Sequence, residues 1–140
     1  TSWQWWLGVS NGDYKDGLVY VSDLNGNMGE IQTTKSDGLI FKSKMLWALG
    51  NYSRFIRPGM KRIKVALNTN DGNVESASKV MISAYKNSTT KEIVTVVINM
   101  TPQEETLNLS GITFDTGTLK IYTTSQNKEL KFSETTLVGI

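Results

Sequence analysis

Residues 79–100 read KVMISAYKNSTTKEIVTVVINM, and this stretch indicates the fold class of most of the chain. Two runs rich in β-branched residues, Lys79–Tyr85 and Glu92–Met100, flank the polar segment Asn87–Thr90. Such runs are typical of β-strands, and a short segment of Asn, Ser and Thr between them is typical of a turn. The stretch therefore predicts two antiparallel strands joined as a hairpin.

The same pattern continues on both sides of this hairpin. Four more short segments alternate or run apolar, with turn residues between them: Met60–Leu67, Glu105–Leu109, Thr118–Thr124 and Glu129–Ser133. Several short strands at close spacing, without helices between them, are typical of an antiparallel β-sandwich. We therefore predict a β-sandwich domain over residues 60–140.

Residues 1–59 have a different organisation and begin with a strand and a long loop. The dense apolar run Trp3–Val9 is typical of a strand that is buried on both faces, as in a parallel sheet. Residues 10–38 are rich in Gly, Asn, Asp and Ser, which favour turns. Within them only Gly17–Ser22 has the composition of a short strand.

A helix is predicted after this loop. Apolar residues recur every three or four positions from Phe41 to Ile56, which is the spacing of one helix face. Ser36 or Asp37 can cap its start, and Pro58 cannot continue it. Residues 1–59 thus form a predicted strand–loop–helix unit.

Composition excludes several kinds of chemistry. The chain has 140 residues, 15 basic and 13 acidic, and contains neither cysteine nor histidine. Thiolate nucleophiles, histidine-based triads and Cys or His metal sites are therefore excluded in this chain, and no cofactor or metal is predicted. The balanced charge gives no reason to expect nucleic acid or an anionic membrane, and no apolar run approaches the ~20 residues that cross a bilayer.

The basic residues are scattered along the chain, apart from one local cluster. Its members are Arg54, Arg57, Lys61, Arg62 and Lys64. The simplest interpretation is a solvated helix end followed by a solvated strand face.

Two stretches carry a resemblance to a known family. Trp3–Val21 (WQWWLGVSNGDYKDGLVYV) and Lys44–Ile63 (KMLWALGNYSRFIRPGMKRI) resemble the C-terminal part of glycoside hydrolase family 30 enzymes. The DYKDG loop and the helix are most similar to the endo-β-1,6-galactanase branch. Ile121–Leu130 resembles a strand and turn of the β-sandwich in that family, so the resemblance covers nearly the whole chain.

The resemblance implies an architecture and an activity. Family 30 enzymes join a (β/α)8 barrel to a β-sandwich, so Trp3–Val9 would be the eighth barrel strand and the segment around Leu39–Ile56 the eighth barrel helix. Residues 1–59 would be an incomplete barrel end. The parent protein would be a retaining glycoside hydrolase of a β-linked polysaccharide such as β-1,6-galactan. It would act outside the cell or in the periplasm, although this chain contains no targeting signal.

The resemblance also implies that no catalytic residue lies in this chain. A retaining glycosidase uses two carboxyl groups about 5–5.5 Å apart. In family 30 these are glutamates at the ends of the fourth and seventh barrel strands, and both positions would precede Thr1. The alternative is a non-catalytic carbohydrate-binding or structural β-sandwich domain.

Four residues are candidates for carbohydrate binding. The family places an aromatic residue on the eighth strand to stack on the sugar, and Trp5 matches that position best, with Trp6 second. Asp13 and Tyr14 follow the strand on the active-site side of a barrel, where they can bond hydroxyl groups or stack. The competing interpretation is that the tryptophans are packing residues and the loop is solvated.

The N-terminal tryptophans also predict a possible self-association. A single strand–loop–helix unit cannot cover Trp3, Trp5 and Trp6, and large exposed apolar patches tend to find partners. We expect this segment to be disordered or buried against a second copy of the chain.

We predict that the purified chain does not hydrolyse β-1,6-galactan, β-1,6-glucan or xylan, because both expected glutamates are missing. The measurement is release of reducing sugar over a buffer blank. Turnover that survives repurification would contradict the prediction.

Overall fold

The computed structural model describes residues 4–12, 14–28, 37–65, 79–108, 110 and 116–138. The described residues are mainly β, as predicted, with antiparallel sheets and one helix. In chain order the elements are β1 (Val9–Ser10), β2 (Val19–Ser22), β3 (Leu39–Lys42), α1 (Lys44–Ser53), β4 (Lys61–Ile63), β5 (Val80–Lys86), β6 (Ile93–Asn99), β7 (Thr116–Ser125) and β8 (Lys128–Val138).

Contacts divide the chain into two compact units. The first contains Thr1–Gly50 and Tyr122–Phe132, and the second contains Asn51–Ile121 and Ser133–Ile140. The domain boundary between residues 59 and 60 stays a prediction.

The first unit contains a three-stranded sheet with β2 at its centre. β1 is parallel to β2, with Val9 opposite Val19, and β3 is antiparallel to β2, with Tyr20 opposite Phe41. The β2 sequence VYVS alternates burial, so that Tyr20 and Ser22 are buried. The strand predicted over Gly17–Ser22 is thereby confirmed.

The strand predicted over Trp3–Val9 is wrong in extent and in burial. Only Val9–Ser10 forms a strand, and Val9 is 60% exposed. Trp5 and Trp6 precede the strand in irregular backbone, and Trp3 lies outside the described residues. A dense apolar run indicates that its residues favour burial. A strand also requires a neighbouring strand to hydrogen-bond with its backbone, and the apolar run does not supply one.

A main helix within residues 39–57 is confirmed, but the start near Leu39 is wrong. Leu39–Lys42 forms β3 instead, because all four residues pair with β2. The capping residue is Ser43: the backbone N–H of Leu46 donates to the Ser43 hydroxyl oxygen at 3.2 Å. Asp37 does not cap the helix, which begins at Lys44, and Ser36 lies outside the described residues.

The helix ends five residues before Pro58. The N–H groups of Phe55 and Ile56 both donate to the carbonyl of Tyr52, which closes the last turn. The Arg57 guanidinium donates to the carbonyl of Ser53 at 2.6 Å. A cation on a C-terminal carbonyl is favourable because it also opposes the negative end of the helix dipole.

In the first unit, α1 packs against the end of the β7–β8 hairpin. The Lys44 ammonium and the Glu129 carboxylate form an ion pair at 3.1 Å. Leu130 is buried beside Gly50, where an added Cβ would lie 3.0 Å from Leu130 Cδ1. Glycine at position 50 therefore lets the hairpin approach the helix closely.

The second unit contains the antiparallel sheet β4–β5–β6, and the predicted hairpin is confirmed. β5 and β6 pair from Val80 opposite Asn99 to Lys86 opposite Ile93. The turn is held by Asn87, whose side-chain oxygen accepts the N–H groups of Thr89 and Thr90. This is the local bonding for which Asn is favoured in turns.

The strand predicted over Glu105–Leu109 is wrong for residues 105–108, which contain no strand. After β6 the chain instead forms a polar turn. Asn99 Nδ2 donates to the carbonyl of Gln103 at 2.7 Å, and the Thr101 N–H donates to Asn99 Oδ1 at 2.9 Å. Side chains that bond the nearby backbone compete with strand pairing.

We predict that Ser43→Ala lowers the free energy of unfolding by about 0.5–2 kcal/mol, because the helix loses its N-cap. Ser43→Thr keeps the hydroxyl and should retain most of the stability. Ser88→Ala, in an exposed turn, is the matched control. Urea denaturation followed by circular dichroism checks the prediction, and equal stability of the Ser43→Ala and Ser88→Ala variants would contradict it.

Candidate functional site

The aromatic site, defined here by Trp5, Trp6, Tyr14 and Asp16, lies around the loop that joins β1 to β2. The carbonyl of Asp16 closes this loop. It accepts the indole N–H of Trp5 at 2.8 Å and the backbone N–H of Leu7 at 3.3 Å. Trp5 is consequently half-buried and fixed in orientation, which is the usual state of a buried indole N–H.

Two further side chains hold the loop at its base. The hydroxyl of buried Ser10 donates to the carbonyl of Gly12 at 2.9 Å and accepts the Gly12 N–H at 3.2 Å. The N–H of Gly17 donates to the phenol oxygen of Tyr20 at 2.9 Å. Both ends of the loop are thus tied to the strands that flank it.

Trp6 and Tyr14 present their rings to solvent. Trp6 is 77% exposed and Tyr14 is 81% exposed. The Tyr14 ring lies against Gly12, where an added Cβ would be 2.5 Å from Tyr14 Cε2. The peptide bond between Trp6 and Leu7 is cis. Two exposed aromatic faces beside a tied loop offer flat apolar area of the kind that binds the C–H face of a ring.

The side chain of Asp16 contains a buried acceptor atom. Its Oδ1 atom is buried and accepts no hydrogen bond from the part of the chain that the structure describes. A buried acceptor without a donor costs about 1–3 kcal/mol. An incoming donor, such as a hydroxyl group, would offset that cost if the side chain turned toward it.

The predicted site residues are thus partly brought together. The structure joins Trp5 to the loop that carries Tyr14, and it leaves the rings of Trp6 and Tyr14 open. Asp13 lies outside the described residues. The motif DYKDG contains both aspartates, and the sequence-based choice named Asp13 alone. Asp16, which that choice left out, is the residue whose carbonyl binds Trp5.

The described part of the chain contains neither a metal-ligand cluster nor a membrane-spanning helix. It holds no group of three or more carboxylate, Cys or His side chains that could bind a metal ion. No helix over these residues is both long enough and apolar enough to cross a membrane.

No protein-family model matches this chain. The fold is similar to the crystal structure of a conserved exported protein from Bacteroides fragilis, with a TM-score of 0.75 and 37% sequence identity. The match covers 99% of this chain but 27% of that protein's chain, so this chain spans about a quarter of its length.

We predict that Gly17→Ala destabilises the first unit by about 1–3 kcal/mol through overpacking. The new methyl group would lie 2.9 Å from Ser10 Cβ and 3.0 Å from the Tyr20 ring. Gly8→Ala is the matched control, because nothing lies within 4 Å of its added methyl. Thermal unfolding of both variants tests this, and an unchanged midpoint for Gly17→Ala would show the packing to be looser than described.

Proposed function

We propose that this chain is the sugar-binding C-terminal part of a retaining glycoside hydrolase that acts on a β-linked polysaccharide such as β-1,6-galactan. The carrying observation is the pair of exposed aromatic rings, Tyr14 on the tied β1–β2 loop and Trp6 in the segment before β1. The catalytic glutamates of such an enzyme belong to sequence outside this chain.

The roles within the site follow from burial. Trp6 and Tyr14 stack on sugar rings, because a rigid aromatic face covers C–H groups at a small cost in side-chain entropy. Trp5 anchors the loop instead, since its indole N–H is already bonded to Asp16. The resemblance implies Trp5 as the first choice for the stacking residue and Trp6 as the second. The proposed assignment reverses that order. Asp13 stays a predicted hydroxyl-binding residue.

The proposed architecture is the end of a (β/α)8 barrel followed by a β-sandwich. The strand β1, a connection that contains the short strands β2 and β3, and the helix α1 follow one another in sequence and support the first part. The antiparallel sheet β4–β5–β6 and the hairpin β7–β8 support the second, because such pairings are the building units of sandwiches.

The proposed location is extracellular or periplasmic. The support is the name of the Bacteroides fragilis protein, which is described as exported. A polysaccharide too large to cross a membrane would require its hydrolase on that side.

A non-catalytic carbohydrate-binding domain is the second candidate. It is favoured by the exposed rings of Trp6 and Tyr14, because they could contact a glycan without the rest of a barrel. The sequence that flanks the coding segment separates the two candidates. An upstream reading frame with two strand-end glutamates supports the hydrolase, and its absence supports the binding domain.

Self-association through the tryptophan segment stays a prediction. Sedimentation of the chain at several concentrations would detect it. It matters for the glycan measurement, because a second copy over Trp6 would compete with sugar.

We predict that Trp6→Ala and Tyr14→Ala each weaken binding of a β-1,6-linked galactose oligosaccharide by about threefold to tenfold. The physical reason is the lost stacking, worth about 0.5–1.5 kcal/mol per aromatic contact. Isothermal titration calorimetry measures the change.

Leu24→Ala is the matched control, because Leu24 is 61% exposed in a different loop. Its affinity should equal that of the unmodified chain. Binding that is indifferent to Trp6 and Tyr14 would remove the aromatic site from the proposed function.

A further inference from the structure

The second unit contains a cleft of about 350 Å³ beside strands β4 and β5. It is lined by Arg62, Ile63, Lys64, Val65, Ile82 and Ser83. Two of these side chains are basic and one is a hydroxyl, and the described lining residues include no carboxylate. None of the residues of the aromatic site lines this cleft.

Strand register places the polar side chains on one face. Arg62 lies opposite Tyr85 and Ile63 opposite Ala84, so continuing the pairing by one residue puts Lys64 opposite Ser83. Directly opposite residues of an antiparallel pair share a face, and side chains two apart along a strand do as well. Arg62, Lys64 and Ser83 therefore share one face, while Lys61 lies on the other.

The hydroxyl of Ser83 is an unexplained group in this cleft. Its oxygen is buried and has no hydrogen-bond partner among the described residues. Buried hydroxyl groups are normally bonded. A small rotation about the Ser83 side chain would allow it to donate to a ligand in the cleft.

The members of the basic cluster in the sequence have different surroundings in the structure. Arg57 binds the carbonyl of Ser53, and Arg54 lies over the ring of Phe55. Among the described residues, neither Arg62 nor Lys64 has such a partner, and neither forms an ion pair. Two like charges side by side repel each other, and a bound anion would offset that repulsion.

We propose that this cleft binds an oxyanion group. Guanidinium donates two parallel N–H groups that fit two oxygens of a carboxylate, sulfate or phosphate, and the Lys64 ammonium adds a compact charge. The Ser83 hydroxyl supplies a further donor. Such a group reaches the cleft either as a free inorganic ion or as the charged substituent of an acidic sugar.

Amide chemical shifts of the isotope-labelled chain test this, with sodium sulfate and sodium glucuronate as separate probes at constant ionic strength. We expect saturable shifts at Ile63 and Ser83 with at least one probe. Sulfate alone would indicate an inorganic or sulfate-ester ligand, and a stronger response to glucuronate would indicate an acidic sugar.

Variants decide whether the cleft itself is responsible. Arg62→Gln and Lys64→Gln should each weaken binding about tenfold, and Ser83→Ala should weaken it less. Lys61→Gln is the matched control, because it removes the same charge from a residue of β4 that is not among the lining residues of the cleft. The spectra also report whether each variant is folded.

Two outcomes would overturn the inference. Neither probe giving saturable shifts would show that the cleft binds no oxyanion. Equal weakening by Lys61→Gln and Arg62→Gln would show a response to net charge rather than a site. The aromatic site uses other residues, so a failure of glycan binding leaves this result unaffected.

Discussion

The bonds between Ser43 and Leu18 are the interaction on which the first unit depends. The backbone N–H and the hydroxyl of Ser43 both donate to the carbonyl of Leu18, at 3.0 and 2.9 Å. The same hydroxyl accepts the Leu46 N–H and starts α1. One side chain thus joins the start of β2, the end of β3 and the first turn of the helix, and each would otherwise leave unsatisfied backbone groups.

The aromatic site is held by the opposite edge of the same central strand, β2. The backbone of residues 16–19 bonds to Leu7 and Gly8, and this pairing positions the segment that carries Trp5 and Trp6. The loop is therefore fixed at its base, while the rings of Tyr14 on the loop and Trp6 before β1 are exposed to solvent. For the proposed binding of a sugar, a loop that is fixed before binding loses less conformational entropy than a mobile loop would.

In the second unit, the alternation of side chains along β4 divides the basic residues between the two faces of the sheet. Neighbouring basic residues along β4 alternate between the faces of the sheet, so a cluster in sequence becomes two separate surfaces. Arg62 and Lys64 line the cleft with Ser83, and Lys61 does not. The composition of the cluster is visible in the sequence, but its division depends on the pairing of β4 with β5.

Local sequence was sufficient for the elements whose signals are short-ranged. The β5–β6 hairpin follows from two apolar runs and the turn chemistry of Asn87, and β2 follows from its β-branched residues between turns. The middle of α1 follows from apolar residues at steps of three and four. In each case the deciding contacts join residues close in the chain, so propensity and final structure agree.

Tertiary structure alone decided the elements that need a distant partner. Leu39–Lys42 fits the apolar spacing of a helix, yet it forms β3 because β2 supplies its hydrogen bonds. Trp5 and Trp6 are adjacent in the same apolar run, yet one is anchored by Asp16 and the other faces solvent. The sequence determined that both residues carry large apolar rings that favour burial. The position of the Asp16 backbone carbonyl determined that Trp5 is held by the fold, whereas Trp6 is exposed.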